Sequence, residues 1–205
     1  MTRLCASLPL LCCRTHHPIL QESPVSVVSR GTGRVFLLMA VALSACSPTF
    51  NWREVRQDAT PLQALMPCKP ETAQRSVPLA GSPTELHLLA CETGGLRFAL
   101  AWAELDAPAQ VPQALAAWRS ASLQAIGVRS LPGDEASTAW AASVPGATQM
   151  LGVQASGQNP AGGAVQTRAV YFARGTQVFQ AAVYGERLPA EALEAFFGGL
   201  RLSAP

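Results

Sequence analysis

Apolar positions divide the chain into two regimes. From Val35 to Leu43, nine consecutive residues are apolar. Beyond Cys46 the pattern turns periodic. Thr84–Cys91 alternates, with Leu86 and Leu88 on one face and His87, Leu89 and Cys91 on the other. Leu96–Glu104 alternates more strictly: Leu96, Phe98, Leu100 and Trp102 share one side, Arg97, Ala99, Ala101 and Ala103 the other. Period-two patterning with one large apolar face predicts strands of a sheet packed on one side. Gly94-Gly95 between them predicts a tight turn. Arg75–Leu79, Thr138–Val144 and Thr148–Ala155 are further strand candidates, the last two flanking Pro145-Gly146. Gly157–Gly163, with Asn159-Pro160 and paired glycines, reads as a flexible loop. Val165–Ala173 and Thr176–Gly185 make the clearest hairpin, turning at Arg174-Gly175.

Helical spacing appears twice. Val111, Leu115, Trp118, Ser122 and Ile126 predict a helix over Pro112–Ile126, opened by a proline in its first turn and closed by Gly127. A second helix runs from Pro189 through Phe197, with Leu193, Phe196 and Phe197 inward and Gly198-Gly199 as the stop; 200–202 reads as a short closing segment. Strands, helix, strands, helix without βαβ alternation indicate an α+β fold, an antiparallel sheet with two helices on one face. The expected organisation is a targeting segment over 1–45, a tether and lead-in segment over 46–66, and a single domain over 67–205.

The apolar run at 35–43 changes this picture most. Arg30 and Arg34 precede it, and its length suits the core of an export signal, about 7–15 residues; a membrane-spanning helix needs about 20. It leads into Leu43-Ser44-Ala45-Cys46, which resembles the lipobox of bacterial lipoproteins: an aliphatic residue, two small residues and the cysteine whose thiol takes the lipid. The resemblance implies cleavage before Cys46 and acylation there, giving stable membrane anchoring once two or more chains are attached. Ser47, where an inner-membrane retention signal would place Asp, implies an outer-membrane address facing the periplasm of a Gram-negative cell, with the inner membrane as the lesser alternative. Residues 1–29 make an unusually long leader and read as an over-extended gene start, with translation beginning near Val27 or Val28. The leader's Cys5, Cys12, Cys13, His16 and His17 match no structural zinc spacing.

Removal of the first 45 residues takes away four of the 15 basic residues and one of the 13 acidic ones, leaving 11 and 12 and a net charge of −1. The cations are scattered, without the basic patch a nucleic-acid surface needs. Three cysteines remain. With Cys46 lipidated, Cys68 and Cys91 are an even pair in an oxidising compartment and predict a disulfide. A redox-active pair is the weaker reading, since no C-x-x-C lowers a thiol pKa.

His87 is the single histidine after Cys46. It reads as a strand-surface residue; a general base working with Glu85 or Glu104 is the alternative, although no G-x-S-x-G, S-x-x-K or H-E-x-x-H motif accompanies it. Asp134-Glu135 beside a turn reads as a solvated loop rather than a cation site. Gly94-Gly95 and Gly162-Gly163 match no phosphate-cradling motif. Trp102, Trp118 and Trp140 read as core, with an apolar ligand groove as the alternative. The hairpin followed by the 189–202 ending resembles small envelope lipoproteins with a PsbP/Mog1-like sandwich. Together these features lead to the expectation of a lipid-anchored envelope protein acting as a non-catalytic interaction or accessory module, touching envelope proteins, peptidoglycan or a hydrophobic ligand. No cofactor or metal is expected. An envelope hydrolase using His87 is the alternative.

Overall fold

A computed structural model describes residues 48–58, 60–129 and 138–203. The lipobox-like segment Leu43-Ser44-Ala45-Cys46, residues 1–29 and Asp134-Glu135 lie outside them.

The fold is α+β. Its main element is a six-stranded antiparallel sheet built from β3 (Glu71–Leu79), β4 (Ser82–Thr93), β5 (Leu96–Glu104), β6 (Gln149–Gln158), β7 (Ala164–Arg174) and β8 (Gln177–Gly185), in the spatial order β3-β4-β5-β8-β7-β6. β1 (Arg53–Arg56) and β2 (Leu62–Met66) form a second small sheet with β9 (Arg201–Leu202). Two helices complete the domain, α1 (Val111–Ala125) and α2 (Ala190–Gly198). The three predicted turns at Gly94-Gly95, Arg174-Gly175 and Gly127 occur where positive φ angles (60°, 73°, 63° and 73° for Gly94, Gly95, Gly175 and Gly127) favour glycine.

The sheet is covered on both faces, and the helices lie on opposite sides of it. This corrects the expectation of two helices on one face. One face presents Leu89, Phe98, Leu100, Phe172, Phe179 and Val183 to α2 and the small sheet, where Phe196, Met66 and Leu202 meet them. The other presents Ala101, Ala103, Ala169, Ala173 and Ala182 to α1. The physical reason lies in side-chain size. Alanine leaves little volume above the pleat, so a helix carrying Leu115 and Trp118 can come close, and the two surfaces fill one another at the density of a core. The apolar content of that face was hidden in small residues.

Two local differences follow from packing. Residues 53–66, read from the sequence as tether and lead-in segment, form β1 and β2, and Leu62, Ala64 and Met66 enter the core. Residues 138–144, read as a strand, make one bridge, Ala139 to Val153. There the chain crosses the β6 edge instead of running along it. Gly152 permits the crossing, because a Cβ on it would lie 2.2 Å from the Trp140 carbonyl oxygen. The Trp140 ring then turns inward, its Nε1 donating to the Ala169 carbonyl at 2.9 Å and its ring 5.1 Å from Phe197.

Cys68 and Cys91 form the predicted disulfide, with Cα atoms 6.0 Å apart and 23 residues of separation. On the chain-entropy model a loop of that length stabilises the domain by about 3 kcal/mol.

The small-residue face makes a specific prediction. Ala182 is fully buried under α1. Ala182→Leu should overpack the layer and cost about 1–3 kcal/mol in urea unfolding. A neutral result would mean that α1 does not press on the sheet at this point.

Candidate functional site

The strongest candidate for a binding surface is the groove between α1 and the outer part of the sheet. α1 runs obliquely from the β3 side toward β6, where the Gln158 amide donates to the Ile126 carbonyl at 2.9 Å. It therefore leaves part of β3 and β4 uncovered. The space has a volume of about 460 Å³. Val77, Leu79, Leu86 and Leu88 supply one wall, and Ala117, Trp118, Ala121 and Ala125 the other. The alternation of β4 places Leu86 and Leu88 in the groove, and Ala117, Ala121 and Ala125 recur at the i, i+4 spacing of one helix face, with Trp118 three residues before Ala121 on the same face.

Its floor is polar. Gln180 on β8 is only 8% exposed, and its amide Nε2 donates to Ser122 Oγ and to Tyr171 Oη, each at 3.1 Å. The network joins the helix to the sheet beneath a mainly apolar cleft, which Arg75 also lines. Tyr184 also lines the groove. Both tyrosines are held neutral. Burial pushes the Tyr171 hydroxyl far above its ordinary value near 10, with nearby Tyr184 adding to the shift and hydrogen bonds from Ser122 and Gln180 opposing it. Burial likewise raises Tyr184, against the opposing influence of Thr167 and Arg97. A mostly apolar cleft with a few convergent polar groups is the usual form of a small-ligand or peptide site.

His87 occupies the opposite face of the sheet. Its ring stacks on Trp102 at 5.2 Å and 9°. Gln74 Nε2 lies 3.0 Å from Nδ1, and Glu85 Oε1 lies 3.1 Å from Nε2. With Nδ1 accepting from the amide, Nε2–H donates to the carboxylate, so both ring nitrogens are occupied. The structure thus brings His87 together with Glu85. Glu104 instead accepts a hydrogen bond from the Thr176 hydroxyl. The side chains of His87 and Glu85 are 30% and 66% exposed, on an open surface.

The tryptophans divide between roles. Trp102 and Trp118 are buried, and Trp118 is at once core and groove wall. Trp140 packs against the α2 side of the core, with the Arg168 guanidinium 5.1 Å from its ring centre. Sequence reasoning passed over Gln180, although it interrupts the apolar run Val178–Val183 and so signals a polar position with a partner. It also passed over Arg119, which is 6% exposed and donates from Nη2 to Thr138 Oγ1 at 2.6 Å. Among the described residues no group of three or more His, Cys, Asp or Glu side chains is placed to hold a metal ion, and no helix is long and apolar enough to cross a membrane.

No protein-family model matches this chain, and no curated protein matches it.

The two tyrosines are the only ones in the chain, so tyrosinate absorbance reports them alone. A folded-state pKa raised above the unfolded value stabilises the fold fully below pH 10 and loses that contribution as pH rises beyond it. Urea titrations should show stability falling above about pH 10, with tyrosinate appearing together with unfolding. Tyr171→Phe should flatten that fall. Tyrosinate appearing at pH 10 in the folded protein would show that water reaches both hydroxyls.

Proposed function

We propose that this chain is a lipid-anchored protein of the bacterial cell envelope, attached through Cys46, and that its folded part is a non-catalytic binding module using the α1 groove. The observation that carries the reading is the Cys68–Cys91 disulfide. Disulfides persist in oxidising compartments such as the periplasm. This one accounts for two of the three cysteines after the apolar run and leaves Cys46, at the end of the lipobox-like segment, as the thiol for lipid. Ser47 supports the outer membrane over the inner one as the final address. The groove supplies the contact surface, with an apolar segment of an envelope protein or a hydrophobic small molecule as its occupant. Peptidoglycan, a polar polymer, fits these walls less well.

The first test follows the anchor. Cells expressing the full gene, with and without Cys46→Ser, are fed labelled palmitate, and the extracted protein is weighed intact without reductant. The expected wild type carries label and begins at Cys46, while the variant stays unlabelled and unprocessed. A wild-type protein that retains residues 1–45 and takes no label rules the reading out.

One observation favours a second reading: Glu85 lies 3.1 Å from His87 Nε2, as a carboxylate that orients a histidine does, and the hydrolase reading then requires Gln74 to release Nδ1 for a nucleophile. A pair of variants separates the two. Under the binding reading Ala121→Trp fills the groove and weakens binding of an apolar reporter dye about tenfold, roughly 1.4 kcal/mol, while His87→Ala leaves binding unchanged. Ester hydrolysis by the wild type that disappears in His87→Ala would establish the enzyme instead.

A further inference from the structure

We infer that the domain stands against the membrane through one end of its large sheet, the end formed by the β4–β5 turn, the 159–163 loop and Gly185–Arg187; this rests on lipid attachment at Cys46. The partner surface is the lipid headgroup layer.

Among the described residues the chain is first tied to the sheet beside the β4–β5 turn. Thr93 Oγ1 donates to the Thr49 carbonyl at 2.6 Å. Gly94 lies directly under the same segment: a Cβ on it would come within 2.9 Å of Thr49 Cγ2 and 3.2 Å of the Phe50 ring. Phe50 and Trp52 then pack on Phe98, with ring centres 6.2 and 6.0 Å away, and the Asn51 amide donates to the Pro67 carbonyl at 2.8 Å. The segment is held to the sheet from Thr49 onward, at the β4–β5 turn.

Cys46 precedes Thr49 by three residues. Three residues reach at most about 11 Å when fully extended. A domain of this size is roughly 35–40 Å across. The link from lipid to fold is therefore much shorter than the body it holds, and free tumbling at the end of a leash is excluded. The register of the sheet identifies the neighbours of the anchor point. Leu96 pairs with Gly185, Gln166 with Gly185, and Gln158 with Ala164. The β4–β5 turn, the β6–β7 loop and the end of β8 thus share one end. Ala80-Gly81, Gly175 and residues 105–110 lie at the other.

The near end suits an interface. Asn159 Oδ1 accepts from the amides of Ala161 and Gly163 at 3.0 and 2.9 Å, and the Asn159 amide donates to the Gly163 carbonyl at 2.8 Å. The loop thus satisfies much of its own backbone, which lowers the cost of losing water there. Glu92 and Arg97 pair at 3.7 Å, so their charges offset one another as the end approaches headgroups.

The test uses the full lipidated protein in phospholipid vesicles whose headgroups carry a quencher. Cys46 is acylated and Cys68–Cys91 is oxidised, so an introduced cysteine is the one free thiol. Ala161→Cys marks the near end and Ala109→Cys the far end, both at exposed positions and roughly 30 Å apart by strand length. A fluorophore on Ala161→Cys should be quenched several-fold more than one on Ala109→Cys. Equal or reversed quenching overturns the inference. An insert of about 20 Gly/Ser residues between Ser47 and Pro48, about 25 Å in mean reach, should abolish the difference, and its persistence would overturn the short-link argument. Protein that takes no palmitate and does not float with vesicles instead sinks the lipoprotein reading, and the inference with it.

Discussion

The structure depends on the unlike faces of its three central strands. β5, β8 and β7 present phenylalanines to one side and alanines to the other. On the large side the Phe172 and Phe179 rings stack at 5.1 Å, and Phe98 meets Phe196 edge to face at 5.3 Å. Aromatic pairs of this kind contribute beyond the area they bury. That side holds α2, the small sheet and the incoming Phe50–Trp52 segment. The alanine side carries buried apolar bulk on these strands only at Tyr171 and Val178 and depends on α1 to exclude water. Reversing the alternation by one residue in any central strand would place a phenylalanine under the helix and an alanine under α2, so register and layer identity are fixed together.

That constraint explains what could be read in the chain before its structure. The hairpins, both helices, the turn glycines and the disulfide follow from local period, proline and glycine placement and cysteine arithmetic. The placement of α1 does not. Ala101, Ala103, Ala169, Ala173 and Ala182 look neutral one by one, and only their assembly across three strands makes a helix seat. β1 and β2 escaped for a related reason. Arg53, Glu54 and Arg56 are exposed, and β2 finds its partner in β9, more than a hundred residues away. Of the groove, Trp118 and Ser122 stood out at helical spacing. The opposite wall depended on knowing which strand lies beside which.

The two long edges of the sheet are finished differently. At β6, Ala139 bridges Val153 and the chain crosses close over Gly152. At the other edge β3 pairs only with β4, and its exposed side chains include Glu71 and Arg75, with Pro78 near its end. Charge and proline are common means of discouraging a further strand. The disulfide at Cys68 stands just before this strand and ties its approach to β4, so the less protected edge is also the one held covalently.

The small sheet joins distant parts of the chain. Leu62 and Gln63 pair with Leu202 and Arg201, and the Ser203 amide donates to the Pro61 carbonyl at 2.9 Å. This has a consequence in time. A chain delivered from its amino end presents β1 and β2 early, yet β2 has its second partner only after about 140 further residues have arrived. The β3-β4-β5 and β6-β7-β8 halves of the ladder can each assemble from neighbouring hairpins, whose contacts are local and fast to form, and the long-range β5–β8 pairing then joins them. The Phe-lined layer remains open until 190–203 fold over it. During that interval its apolar surface is exposed to any chaperone or neighbouring chain. Final closure of the domain therefore waits for the arrival of residues 190–203.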